Sequence, residues 1–379
     1  ETMLSAVQAQ VGAVLTLDES GLPVPRVTWG LREDHLARIR TREGRPIAEQ
    51  VLADGAPVCL NAEDLAAGAL DLSGLDAHLT GLLALPLTSR NAVRGVVLLA
   101  NPEGAFGDNQ RRLAEMVCTL AAIALDNALL VKAMVEGERL RQELDLAKKV
   151  QEGMYPVGGL RLDRLAIEGG SRPCSETGGD YYTYTTRQGR ALAMIGDVSG
   201  HGLGAALYTT MAHVIVQQQL RAGAALDPAF RQLNETLYHA QSGRFMTAAL
   251  VEVDPADGAM RYVSAGHNPL LWIHQGEARW LESSGLPLGI LADSEWPEST
   301  LQHLTPGDTL VLYTDGFVEA SDPAGEVWGD ERFAAVLLEG VARGLGAAEL
   351  MALVHLAVDT WSGGQAHADD LTLVVMRYG

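Results

Sequence analysis

The sequence predicts an α+β fold in two parts joined by a long helix. Three observations carry that prediction. Short apolar runs are linked by hairpin turns such as Asp-Pro-Ala-Asp-Gly-Ala (254–259), helical segments fill the gaps between runs, and the stretch from Leu125 to Met154 lacks proline and strand punctuation. The expected boundaries are 1–127 for an N-terminal domain, 128–156 for a connecting helix and 157–379 for a larger C-terminal domain.

With 379 residues, each part is long enough to bury its own core. Lys and Arg total 28 against 48 Asp and Glu, a net charge of -20, and no basic run tracks a phosphate backbone. Direct nucleic-acid binding is excluded on that ground. Acidity also repels an anionic membrane surface, and the longest apolar stretches, read as 81–87 and 94–100, are too short to span a bilayer. Cys59, Cys118 and Cys174 have neither disulfide nor zinc spacing, so a reducing cytoplasm is expected. The N-terminus has no signal-peptide pattern and begins with Glu1, as a fragment of a longer protein would.

From about Ala13 to Asn127 short strands alternate with helices, punctuated by turns such as Glu-Ser-Gly-Leu-Pro (19–23). Residues 81–102 read as two strands joined by a polar turn. Phe-Gly-Asp-Asn-Gln follows, then a helix whose apolar residues include Leu113, Met116, Val117, Leu120 and Ile123. This stretch, with Gly-Arg-Pro-Ile-Ala-Glu-Gln-Val-Leu-Ala-Asp-Gly-Ala-Pro-Val-Cys-Leu-Asn (44–61), resembles a GAF domain. The resemblance implies an antiparallel sheet with helices, a sensor or dimerisation role, and a small-molecule ligand of unknown identity.

In the connecting segment Leu130, Ala133, Gly137, Leu140, Leu144, Ala147, Gln151 and Met154 recur at alternating three- and four-residue steps. That spacing forms one seam of a coiled coil and predicts a homodimer, although Gly137 and Gln151 weaken it. The alternative is a single amphipathic helix lying on a neighbouring domain. Pro156 and Gly158 stop the helix. Beyond it, strands are expected at 192–195, 248–253, 260–264, 270–273, 309–313 and 372–376, with helices near 205–221, 228–240, 332–339 and 347–361.

Five aspartates carry the chemistry: Asp180, Asp197, Asp315, Asp369 and Asp370. Asp197 ends the run Ala-Leu-Ala-Met-Ile-Gly, and the following Ser-Gly-His-Gly-Leu-Gly lets backbone groups approach an ion closely. Asp315 meets Gly316 at the end of Thr-Leu-Val-Leu-Tyr, and Asp369–Asp370 precede the closing strand, so their adjacent carboxylates diverge and only one is expected to bind. Carboxylates at strand ends are oxygen ligands for hard divalent cations, and two such cations suggest phosphoryl hydrolysis. Gly-His-Gly-Leu-Gly lacks dinucleotide-loop spacing, and Ser199 does not sit in a nucleophile elbow.

The motifs Gly-Gly-Asp-Tyr-Tyr (178–182), Gly-Asp-Val-Ser-Gly-His-Gly-Leu-Gly-Ala-Ala-Leu (196–207), Met-Thr-Ala-Ala-Leu (246–250), Ser-Ala-Gly-His-Asn-Pro-Leu-Leu (264–271), Leu-Tyr-Thr-Asp-Gly-Phe-Val-Glu-Ala (312–320) and Asp-Asp-Leu-Thr (369–372) occur in this order. Together they resemble the bacterial PP2C-type serine/threonine phosphatases of the SpoIIE and RsbU kind. Lys-Lys-Val-Gln-Glu-Gly-Met-Tyr-Pro (148–156) resembles the helix entering that domain. The resemblance implies a two-sheet sandwich flanked by helices, with two Mn²⁺ or Mg²⁺ ions between the sheets. By motif match Asp197 would bridge the ions, the Val198 carbonyl would bind one, Asp315 and Asp369 would hold the other, and Asp180 would act in or just behind the ligand set.

The implied activity is that of a Mn/Mg-dependent protein-serine/threonine phosphatase, in which water activated by the cations attacks phosphorus. The implied substrate is a phosphorylated STAS-domain anti-anti-sigma protein. Thr183 departs from the family's acid, His201 and Ser199 do not reproduce the histidine of eukaryotic relatives, and His267, Asn268 and Glu319 read as structural. A catalytically weak, ligand-regulated scaffold and a two-metal phosphodiesterase are the alternatives.

Overall fold

The computed structural model describes residues 5–379 apart from 6, 19, 31–39, 42–45, 68, 69, 72–78, 91, 102, 103, 201, 223–225, 241 and 242. Glu19, Gly44, Arg45, Asn91, Pro102 and His201 of the motifs above therefore lie outside the described residues. The chain divides into two compact units, Glu1–Arg139 and Leu140–Gly379.

In the first unit β1 (Val11–Leu17), β2 (Pro23–Trp29), β4 (Val58–Leu60), β6 (Gly81–Ser89) and β7 (Ala92–Asn101) form an antiparallel sheet in the order β2-β1-β7-β6-β4. The short strands β3 (Arg40–Thr41) and β5 (Leu70–Asp71) pair separately. The central strands are apolar on both faces because both faces are covered. Leu82, Ala84, Val96 and Leu98 pack with Ile47 and Val51 of the helix Ile47–Asp54, whereas Leu83, Leu85, Val97 and Leu99 pack with Ala114, Cys118 and Ala122.

Those last three residues belong to one uninterrupted helix, Asp108–Glu152, which runs through both the helix expected after residue 107 and the connecting segment. Its buried stripe is not the one that its largest apolar residues mark. Ala114, Cys118, Ala122 and Asp126, four residues apart, face the sheet, and Asp126 pairs with Arg94 at 2.7 Å. Leu113, Met116, Leu120 and Ile123 are exposed. Small residues let the helix lie close to the flat sheet, which turns the larger ones outward.

Over its most apolar 18 residues this helix has a mean hydropathy of 1.7, long and apolar enough to cross a membrane by length and composition. The runs at 81–87 and 94–100 are thus not the longest apolar segments. The seam reading is also corrected at its end, because the helix stops at Glu152, before Met154, and Gln151 is buried within its own chain.

The second unit has two stacked antiparallel sheets. One contains β10 (Asp180–Arg187), β11 (Arg190–Val198), β12 (Met246–Val253), β13 (Ala259–Ala265) and β16 (Gln302–His303), in that order. The other runs β15 (Glu277–Leu281), β14 (Leu270–His274), β17 (Thr309–Tyr313), β18 (Leu371–Tyr378), β9 (Leu165–Arg172) and β8 (Leu160–Leu162). Strand alternation sorts the side chains into three layers. Ala193, Ile195, Val251, Leu310, Leu312, Val374 and Met376 fill the space between sheets. Leu192, Met194, Ala248 and Leu250 face the helices Leu203–Ala222 and Leu226–His239, while Val311, Tyr313, Leu373 and Val375 face Gly329–Ala342 and Ala347–Trp361.

Every strand and helix expected from the sequence in this region is present. The sequence reading missed β8, β9, β10, β15 and β16. In β10, Tyr181 faces the helices and Tyr182 and Tyr184 the inter-sheet core, so the strand carries no polar alternation to betray it.

Candidate metal centre

The five aspartates come together at one end of the two-sheet stack. Asp180 opens β10 and lies directly opposite Asp197 near the end of β11. From the other sheet, Thr314 follows β17 and donates its hydroxyl to Asp180 Oδ2 at 2.8 Å, linking the two sheets at the site. The Thr314 Oγ also accepts from the Thr372 amide at 3.1 Å. Asp315 is the first residue of the short helix Asp315–Val318, and Asp369–Asp370 directly precede β18, the neighbour of β17. Thr314 was not singled out in the sequence, though its place between β17 and Asp315 was a usable signal.

Asp370 is spoken for by backbone. Its Oδ1 accepts from the Cys174 amide at 2.8 Å, and its Oδ2 from the amides of Gly179 at 2.7 Å and Asp180 at 3.3 Å. It therefore holds the Gly-Gly-Asp turn against β18. Asp369 is exposed, and its Oδ1 accepts from the Asp370 amide at 2.7 Å. The two adjacent carboxylates thus have different hydrogen-bond partners. Cys174 is an addition: its sulfur and carboxylate oxygens of Asp369 and Asp370 lie within 4.8 Å of one another. Burial and the Asp370 charge push its thiol up to about 11, so it stays protonated at neutral pH.

Glycines make the approach possible. A side-chain carbon on Gly316 would stand 2.1 Å from the Asp370 carbonyl, and one on Gly179 would stand 2.8 Å from the Val198 carbonyl. Gly316→Ala is expected to destabilise the protein by about 1–3 kcal/mol through this backbone clash, measured by denaturant unfolding. An unchanged unfolding midpoint would refute that close packing.

The carboxylates are electrostatically crowded. Burial, then the charges of Asp197 and Asp370, raises Asp180 well above the ordinary carboxylate range. Burial, then Asp315, Asp369 and Asp370, pushes Asp197 up to about 7, and burial with Asp369 and Glu319 raises Asp315. A folded-state pKa above the unfolded 3.8 means the folded protein binds more protons between about pH 4 and pH 7. Without divalent cation, stability is therefore expected to fall as pH rises through that window. Thermal unfolding of chelator-treated protein at pH 5 and pH 7.5 checks the sign, and added divalent cation should flatten the slope.

Apart from the protonated Cys174 thiol, these donors are hard oxygens, mutually repelling carboxylates and a carbonyl beside a glycine, and they fit a hard divalent cation. The neighbouring loop is pinned: Ser199 and Phe245 exchange hydrogen bonds, and Arg244 donates to the Ser199 carbonyl. Thr183 is buried on the opposite face of β10 from Asp180 and accepts from Gln217 at 3.2 Å. His267 is buried with Nδ1 2.9 Å from Thr247 Oγ1, and burial lowers it to about 4.

Two further residues come from the end of the long helix and its exit. Buried Gln151 donates to the Gly178 carbonyl at 2.8 Å and to Thr209 Oγ1 at 3.1 Å, and accepts from the Gly178 amide at 3.2 Å. Tyr155 donates to the Asp180 carbonyl at 3.0 Å and stacks on Tyr182 with ring centroids 4.8 Å apart. No sequence signal distinguished Gln151 from a flawed seam position.

Comparison with known proteins shows the family and the fold. The profile of the family described as Stage II sporulation protein E (SpoIIE) matches residues 187–379, and that of the GAF domain matches residues 1–126. Phosphoserine phosphatase RsbP of Bacillus subtilis (strain 168) is 31% identical over 186 residues, 47% of this chain and 46% of that protein. Phosphoserine phosphatase RsbU of the same organism is 27% identical over 243 residues, 63% of this chain and 71% of that protein. The chain thus spans about half the length of RsbP. Among solved structures, the SiaA-PP2C domain of Pseudomonas aeruginosa has a TM-score of 0.55 at 22% identity, covering 64% of this chain and 99% of that one, a likeness of fold.

Proposed function

This chain belongs to the SpoIIE family of PP2C-type phosphatase domains and carries an N-terminal GAF domain, and from that premise we propose that it is a divalent-metal-dependent protein phosphatase acting on phosphoserine or phosphothreonine. The observation that carries the reading is the cluster of crowded, raised carboxylates on two sheets tied together by Thr314. Asp197, Asp315, Asp369 and the Val198 carbonyl would hold Mn²⁺ or Mg²⁺, with Asp180 in or just behind the ligand set. When bound, the cations supply Lewis acidity to water and to the phosphoryl oxygens. The chain's own part is positional. Asp370 fixes the Gly-Gly-Asp turn, Thr314 fixes the Asp180 carboxylate, and Gly316 lets the helix bearing Asp315 sit against the Asp370 carbonyl.

The names of the relatives favour phosphoserine, and the family resemblance of the motifs favours a STAS-domain anti-anti-sigma protein as its bearer. The test is phosphate release from such a phosphorylated protein with Mn²⁺ and after chelation. Release is expected only with the cation; its absence in both arms would overturn the reading in favour of a non-catalytic scaffold.

The exposed Met116, Leu120, Ile123, Leu130 and Met134 on the long helix support a homodimer in which a second copy covers them. Met116→Lys with Leu120→Lys is expected to halve the mass measured by light scattering. Regulation by a GAF ligand would reach the catalytic unit along this helix, whose last turn carries Gln151. A chain lacking residues 1–125 that stayed equally active and responsive would remove the case for such control.

A further inference from the structure

A cleft of about 310 Å³ opens beside Asp369, lined among others by Gly316, Glu319, Ser362, His367 and Asp369. It begins at the short helix that carries Asp315 and ends at the last turn of the helix Ala347–Trp361. The catalytic reading uses Asp369 and Gly316 at its edge and leaves the rest of the cleft unassigned.

Three features define what it can hold. Its carboxylates are Glu319 and Asp369, and among the described residues no lysine or arginine lines it. Ser362 caps the C-terminal end of the helix Ala347–Trp361, whose last turn has no basic residue of its own. Ser362 is 2% exposed, yet its hydroxyl has no hydrogen-bond partner, and the same holds for His367 Nδ1, whose ring is fixed by the Nε2 contact to Asp359 Oδ1 at 3.1 Å. Buried polar atoms of this kind are costly unless something satisfies them. The lining therefore sets two carboxylates and two unpartnered polar atoms together, with no lysine or arginine beside them among the described residues.

We propose that this cleft is a substrate subsite that receives a lysine or arginine side chain lying close in sequence to the phosphorylated residue. The inference rests on the phosphatase reading, since it is Asp369 at the metal centre that places the cleft next to the phosphoryl group. A long cationic side chain supplies several donors on an apolar stem. Its head would meet Glu319 and the Ser362 hydroxyl while the stem passes Gly316 and Ala320. Asp369 would be engaged with metal, which leaves Glu319 as the carboxylate that selects charge.

The experiment uses the full chain with Mn²⁺ and pairs of phosphoserine peptides that differ only by lysine or norleucine at one position, scanned over the two residues on either side. At one position or more, kcat/KM is expected to favour lysine by about fivefold at low ionic strength, and the preference should shrink in high salt. Glu319→Gln and the near-isosteric Ser362→Ala are each expected to reduce the lysine-to-norleucine ratio, and together to bring it to about one. Every variant is normalised to its own hydrolysis of an aryl phosphate, which does not reach the cleft. Equal turnover of lysine and norleucine peptides at all positions, or a preference that survives both substitutions, would overturn the subsite alone. Failure to release phosphate from any peptide or from the aryl ester would overturn the phosphatase reading and the subsite with it.

Discussion

Asp197→Asn is expected to lower metal-dependent phosphate release by about a thousandfold or more while leaving the protein folded. Asp197 sits where charges from both sheets meet: Asp180 is its cross-strand partner, and Asp315 and Asp369 raise its proton affinity from the opposite sheet. An amide keeps the shape of the side chain but cannot donate negative charge to a cation. The same change relieves repulsion in the metal-free protein, so its melting temperature should rise by about 2–6 °C, while the stabilisation normally given by added Mn²⁺ should shrink. Opposite signs in the two conditions separate a lost ligand from a damaged fold. A variant that kept its turnover, or lost stability in both conditions, would remove Asp197 from the proposed ligand set.

Gln151→Ala is expected to reduce kcat by about 10- to 100-fold and to cost about 2–3 kcal/mol of stability. The Gln151 amide satisfies both the N–H and the carbonyl of Gly178, two residues before Asp180, and is anchored in turn by Thr209. Truncation leaves two buried backbone groups of the Gly-Gly-Asp turn without partners, and Asp180 loses its fixed position. Gln151→Glu should fall between alanine and the parent chain, since a carboxylate accepts from the Gly178 amide but cannot donate to its carbonyl. Val150→Ala, one residue away on the exposed side, serves as control and should leave activity unchanged. If Gln151→Ala and Val150→Ala behave alike, the helix end does not position the turn.

Much of the fold was legible because its signals are local. Hairpin turns and doubly apolar runs identified β11, β12, β13, β14, β17 and β18, and the helices of the second unit start and stop close to where their periodicity says. β10 was missed because Tyr181, Tyr182, Thr183 and Tyr184 are buried on both faces and no polar alternation survives. The long helix was legible as two helical segments, but neither its continuity from Asp108 to Glu152 nor its buried face was. Leu113, Met116, Leu120 and Ile123 look like its inner face by hydrophobicity, yet close contact with a sheet favours Ala114, Cys118 and Ala122.

At the candidate metal centre, the sequence by itself singled out Asp180, Asp197, Asp315 and Asp369, each marked by a neighbouring glycine or strand end, in the order of a recognisable family. Its acidity, its two-part organisation and its α+β class were likewise written in composition and periodicity. Only the tertiary structure shows what each carboxylate is hydrogen-bonded to. Whether a carboxylate is free or already occupied depends on amides far away in the chain: Asp370 is taken up by Cys174, Gly179 and Asp180, nearly two hundred residues earlier, while Asp369 beside it is not. Gln151 changes in the same way from a weak seam residue to a support of the Gly-Gly-Asp turn. Hydrogen bonds are short-ranged in space and indifferent to separation along the chain, so no local pattern records where they close.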